Sequence, residues 1–264
     1  RFILVATPSG ITLAPEGGAH QSIAEPLIGL AQDGLAAFEP AFVDELTVIL
    51  AFALDYIQKS GGSGDGGEVS ERNWLRDETG GSIYLRLSTR PIEQIKRPMT
   101  AALRQSIVDG AYWLREPGPN CQVVVAYTGV VAPEAIQAVG FMAEDRRDVG
   151  LLAVTSADRL NAGWTAALRA RERGLVHARS HIERLFAELP PHCGIVTVLD
   201  GHPATLAWLG AVGGHRVRPL GVEHFGQTGS IPDLYRHYGI DADAIIAGAQ
   251  ALTPGKPIRH LRAM

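Results

Sequence analysis

The sequence predicts an α/β protein in which mostly parallel sheet is covered by helices on both faces. Three observations lead there. Short unbroken apolar runs such as FILVA (2–6) and GIVTVLD (194–200) have the length and character of strands buried on both sides. Longer segments with helical spacing lie between such runs, in the alternation that builds parallel sheets. Gly (30) and Pro (16) are plentiful and aromatics only 6%, which suits a chain of many short connections. The right-handed crossover rule then leaves few topologies.

FILVA opens the chain as a buried parallel strand. After a glycine-rich loop, PLIGLAQDGLAAFEP gives a brief helix and then a strand ending at Phe38. PAFVDELTVILAFALDYIQ (40–58) predicts a helix. Pro40 suits its first position, Asp44 and Glu45 suit the positive end, and Phe42, Leu46, Ile49, Leu50 and Ala53 make one apolar face. SGGSGDGGEVS (60–70) reads as a surface loop or linker. A phosphate cradle would need a strand before it and a helix with a lysine after it, and a helix precedes it. GSIYLRLST (81–89) is a strand that closes the first unit.

RPIEQIKRP (90–98), with its two prolines, marks the expected boundary, dividing the chain into 1–92 and 93–264. The next strand is CQVVVAYTG (121–129), followed by a helix near 133–145 and the strand VGLLAVTS (149–156). ADRLNAGWTAALRARERG and SHIERLFAEL are helices and GIVTVLD a strand. A helix near 203–212, the short strand VRPLGV and helices near 231–238 and 242–252 complete the pattern. The first unit looks half-built on its N-terminal side. With Arg1 in place of a methionine, the expectation is a piece of a longer chain.

A net charge of −4 and a pI near 6.1 give no support for a nucleic-acid surface. No apolar run reaches the roughly 18 residues of a membrane span, and the start lacks a signal-peptide layout, so the expected compartment is the cytoplasm. Cys121 and Cys193 do not form a secreted disulfide framework. Cys193 follows two prolines and precedes a strand, which favours a buried thiol over a nucleophile. His177 and His181 have a spacing that could share a helix face, but Ala178 stands where a zinc-protease glutamate would. Asp200 and His202 follow a strand, where α/β sheets place ligands, yet Gly201 and Pro203 also make a plain turn. Neither a G-x-S-x-G elbow nor a G-x-G-x-x-G fingerprint between strand and helix is present. EGGAHQ remains: Glu16 and His20 lie in the loop after the first strand, with glycines that admit close backbone approach. A histidine there could move protons on a bound carbonyl compound, and a solvated loop is equally compatible with the pattern.

EGGAHQSIAEPL resembles the loop of thiamine-diphosphate enzymes of the transketolase superfamily, where an acidic residue, Gly, two residues and His recur and Gln often follows, as Gln21 does here. GHRVRPLGVEHFGQTGSIPDLYRHYGIDADAIIAGAQAL (214–252) and TSADRLN (155–161) resemble later segments of the same superfamily. TPSGITL before the loop is most similar to the homodimeric pyruvate dehydrogenases. The resemblance implies the second half of a pyrimidine-binding α/β domain followed by a transketolase C-terminal-type domain. It also implies that His20 faces the cofactor and the substrate carbonyl and that Glu16 contacts substrate. Arg90 is the further substrate-binding candidate, one place displaced from the phosphate-binding arginine of transketolases, and Pro8 stands where they carry a second, phosphate-clamping histidine. That incomplete clamp favours a small 2-oxo acid such as pyruvate over a sugar phosphate. The family's diphosphate and magnesium motif is absent, since GDGG (64–67) has no Asn pair behind it. The glutamate that activates the cofactor would precede Arg1. The expectation is therefore a C-terminal portion, inactive alone, of an enzyme using thiamine diphosphate and Mg, working as a homodimer and passing an acyl group to a lipoyl acyltransferase. The alternatives are a transketolase and a non-catalytic dimerisation or docking module.

Overall fold

The computed structural model describes residues 1–32, 34–59, 77, 79–145, 148–224 and 226–253. The glycine-rich segment 60–70, with its GDGG, lies outside the described residues. The described chain forms two sheets. In the first, β1 (Ile3–Ala6), β2 (Leu35–Phe38) and β3 (Ser82–Arg86) run parallel in the order β1-β3-β2, with Ile3 beside Ile83 and Leu35 beside Ser82. α1 (Glu25–Ala31) leads into β2, and α2 (Val43–Tyr56) leaves it.

α2 differs from the sequence reading at its start and its face. Pro40 is not the first helical residue, because the helix begins after Phe42. Glu45 bends back to accept the amide protons of Ala41 and Phe42, at 2.7 and 3.0 Å, and so fixes the start one turn later. The buried face is Glu45, Val48, Ile49, Ala53 and Tyr56, while Leu50 is exposed and Leu46 half-buried. The rotation follows from Glu45, whose carboxylate also accepts the Tyr112 hydroxyl and is thereby satisfied inside the protein.

Two elements escaped the periodicity between 99 and 120. α3 (Ala101–Asp109) is capped by Thr100, whose side chain accepts the Leu103 amide at 3.1 Å. It turns at Gly110 directly into β4 (Ala111–Arg115). β4 is the antiparallel edge of a second sheet, ordered β4-β6-β5-β7-β8. Its other strands, β5 (Val123–Thr128), β6 (Gly150–Val154), β7 (Gly194–Leu199) and β8 (Val217–Leu220), are mutually parallel. β5, β6 and β7 are buried along their whole length, as the apolar runs required.

Helices α4 (Ala132–Asp145), α6 (His181–Phe186), α7 (Ala204–Ala207) and α9 (Ala242–Leu252) pack on this sheet, α5 (Ala157–Glu172) packs mainly on α1 and β2 of the first, and α8 (Ile231–Tyr238) reaches the end of β7 through Tyr235 and Asp200. One hydrophobic core is continuous across both sheets: Phe38, Ile83 and Leu85 belong to the same cluster as Val123, Val198 and Ile245. Among the described residues no helix is long and apolar enough to cross a membrane.

The order of the second sheet has a functional consequence. The chain leaves β5 for β6 on one side and then returns to β7 on the other. The C-terminal ends of β5 and β7 therefore flank a topological switch point, where open α/β sheets make their crevices. The loop after β1 enters that place.

Candidate functional site

The loop from Ser9 to Ser22 is pinned at its base and projected at its tip. At the base, the Ser22 amide donates to the Gly10 carbonyl at 3.0 Å, and the Ile11 amide donates to Asp200 Oδ1 at 3.0 Å. Gly10 has a φ of +59°, and a Cβ there would lie 2.2 Å from the Asp200 carboxyl, so only glycine fits. Ala14–Glu16 and Gly18–His20 then form two short 3-10 turns joined by Gly17, again at positive φ, against Thr228. These turns bring His20 Nε2 to 3.2 Å from Glu16 Oε2. Both side chains remain open to solvent, at 53% and 57% exposure.

Gln21 fixes the tip of the loop to the far end of the chain. Its Oε1 accepts the Gly226 amide at 2.7 Å and its Nε2 donates to the Gln227 carbonyl at 2.9 Å. The Gly229 amide donates to the Ala14 carbonyl at 3.3 Å. The two segments whose sequences carry the family resemblance therefore hold each other.

Behind the loop lies a buried charged cluster that the sequence reading missed. Arg86, at the end of β3, pairs with Glu39 and donates to the carbonyls of Ser22 and Asp200 at 2.9 and 2.7 Å. Asp200 is fully buried and also accepts the Tyr235 hydroxyl at 3.1 Å. Burial raises its pKa to about 6 although Arg86 draws it back down. Burial raises Glu39 as well, with Arg86 opposing and the Asp200 charge adding to the rise. A charge inside the apolar run IYLRL and a glutamate closing LAAFE were the signals that could have revealed this cluster. Asp200 thus stands at the switch point and spends its acceptors on the loop and on α8.

Arg90 is placed differently from Glu16 and His20. Its guanidinium makes a two-pronged pair with Glu134 Oε1 and Oε2, at 2.7 and 3.0 Å, and stacks over Tyr235. His177 lies outside any helix, so the shared helix face that the spacing allowed does not form. His181 is instead held by the Ala111 carbonyl at 2.7 Å, at the start of the capped helix α6. His202 Nδ1 accepts the Ala204 amide at 3.2 Å, the plain turn chemistry weighed above. A cleft of about 300 Å³ lies between α1, β2 and α5, lined by Asp158, Arg159, Asn161 and Thr165, and no residue of the His loop lines it. Among the described residues no three His, Cys, Asp or Glu side chains converge as a metal site.

The fold is that of transketolase. A transketolase from Campylobacter jejuni superposes with a TM-score of 0.64 at 16% identity, over 95% of this chain and 31% of that one. A split-gene transketolase solved as an inactive beta4 tetramer gives a TM-score of 0.58 at 18% identity, over 95% of this chain and 66% of that one. In sequence, the chain is similar to the pyruvate dehydrogenase E1 component of Mycolicibacterium smegmatis, 25% identical over 264 residues and 93% of this chain. The chain spans about a quarter of that relative's length. No family model matches it. The fold and the sequence likeness both bear out the resemblance to the transketolase superfamily that the His loop and residues 214–252 suggested.

Proposed function

We propose that this chain is the C-terminal portion of a thiamine-diphosphate-dependent 2-oxo acid dehydrogenase, acting on pyruvate or a similarly small 2-oxo acid. The enzyme would be a homodimer that passes the acyl group to the lipoyl carrier of an acyltransferase. The observation that carries this reading is the Glu16–His20 pair, exposed at the tip of a loop whose base and flank are both fixed. A histidine so placed can give or take a proton at a substrate carbonyl oxygen, with Glu16 orienting the imidazole from 3.2 Å. The likeness to the pyruvate dehydrogenase supports the substrate class. So does Arg90, which would reach a sugar phosphate only by giving up Glu134. Thiamine diphosphate and Mg would be held outside the described residues of this chain.

A second reading, a transketolase-type subunit that needs a separate cofactor-binding chain, is favoured by the split-gene neighbour. Turnover by the complete enzyme containing this chain tests both. Pyruvate-dependent reduction of an artificial acceptor is expected, and turnover of a ketose phosphate without pyruvate activity would favour the second reading. His20→Ala should lower kcat by about 100-fold or more with an unchanged melting temperature. An unaffected kcat removes His20 from the chemistry.

A further inference from the structure

We propose that Cys121 and Cys193 form an internal dithiol site that hydrogen peroxide or a related hydroperoxide oxidises to an intramolecular disulfide. The chain has two cysteines, 72 residues apart in sequence, and the fold brings them together. Cys121 lies just before β5 and Cys193 just before β7, neighbouring parallel strands in which Val123 pairs with Gly194. The Gly194 amide donates to the Gln122 carbonyl at 2.8 Å, which locks the two strand entries side by side. Each cysteine amide also closes a turn, Cys121 onto the Gly118 carbonyl and Cys193 onto the Pro190 carbonyl. The Sγ atoms are 3.7 Å apart, with the Cys193 thiol donating to Cys121. A disulfide needs about 2.05 Å, within reach of side-chain rotation when the two strand entries are already adjacent.

The hydrogen bond from Cys193 is the largest influence lowering the Cys121 pKa, partly opposed by burial. The same bond, with burial, pushes Cys193 up. Either sulfur, once deprotonated, can attack, and the other then lies close enough to resolve. Both cysteines belong to the buried cluster that includes Val124, Leu152, Ile182, Phe186 and Ile195, with His215 Nδ1 3.0 Å from the Cys193 carbonyl and the Asp148 charge acting on both thiols. Both thiols are buried, but Asn120 and His192, their immediate neighbours in sequence, are exposed. A brief opening of either turn admits a small uncharged oxidant and excludes large charged ones.

The chemistry balances in two steps. One of the two thiols loses its proton and attacks one peroxide oxygen, the O–O bond breaks, and the leaving hydroxide takes up that proton as water, giving a sulfenic acid. The other thiol then displaces that oxygen as water, its own proton leaving with it, and the S–S bond forms. Two thiols and one hydrogen peroxide give one disulfide and two waters, with two electrons passing from sulfur to oxygen.

Intact-mass spectrometry of the whole protein tests this. The folded chain is treated with stoichiometric hydrogen peroxide, then unfolded in excess N-ethylmaleimide. The expected product has lost two hydrogens, carries no maleimide, yields a peptide joining Cys121 to Cys193, and returns to two maleimides after dithiothreitol. Its thermal midpoint should exceed that of the reduced chain, because the crosslink closes a long loop in the unfolded state. Cys193→Ser should stop at a sulfenic acid on Cys121 that dimedone traps. Two maleimides after peroxide, oxygen adducts without the joined peptide, or crosslinks between chains would each overturn the proposal.

Discussion

Replacing Asp200 with asparagine isolates the electrostatic state of the junction between the two sheets. The side chain is fully buried and keeps the same shape, and an amide oxygen can still accept the Ile11 amide. The change removes a single titration. In the folded protein burial lifts the Asp200 pKa from the ordinary 3.8 to about 6, against the pull of Arg86. The folded state therefore holds its proton more tightly than the unfolded chain does. That stabilisation is fully present only well below 3.8 and is lost as pH rises through about 6. At about 1.4 kcal/mol per pH unit, the interval is worth about 3 kcal/mol. Unfolding free energies from urea titration at a series of pH values from 4 to 8, for wild type and Asp200→Asn, supply the measurement. Relative to the variant, the wild type should lose about 2 kcal/mol between pH 4 and pH 7, the rest having gone below pH 4. Loss of the Asp200 charge also relieves Glu39 of one influence raising its pKa, which widens the difference in the same direction. A difference that stays flat, or that grows in favour of the wild type as pH rises, would refute the argument. It would mean that Arg86 more than compensates the burial of Asp200.

Other outcomes follow from neighbouring contacts. Arg86→Met leaves Glu39 buried without its partner and should cost about 3–5 kcal/mol in urea unfolding, much of it restored by adding Glu39→Gln; a loss under about 1 kcal/mol would show that the pair is not holding the junction. Gln21→Ala removes two hydrogen bonds, each worth about 1 kcal/mol, and should speed hydrogen exchange at the Gly226 amide with little change in the global midpoint. Unchanged exchange at Gly226 would show that the loop is docked by other contacts.

Much of the fold was written locally. The helices expected near 231–238 and 242–252 appear as Ile231–Tyr238 and Ala242–Leu252, because each begins at a side chain that caps it, Ser230 and Asp241. The buried strands β5, β6 and β7 were legible because their apolar runs need no partner to be recognised, but FILVA, read the same way, is an edge strand with Leu4 and Val5 exposed, because β3 covers only one of its sides. α3 and β4 were not, since a short helix turning at a single glycine into an edge strand carries neither a long period nor a full apolar run. The face of α2 was misread for a related reason: a helical wheel counts Leu50 as core and Glu45 as surface, and Tyr112 with the Ala41 and Phe42 amides reverses both.

The site divides in the same way. Local sequence determined that a glycine-rich loop would follow the first strand and bring Glu16 and His20 to its tip, since turn chemistry and a four-residue spacing are properties of neighbours in the chain. What holds that loop was decided by tertiary structure alone. Ile11 meets Asp200 across 189 residues and Gln21 meets Gly226 across 205, while Cys121 finds Cys193 only because β5 and β7 lie side by side. Hydrogen bonds, burial and pKa values depend on distance in space, and only the packing of the two sheets sets those distances.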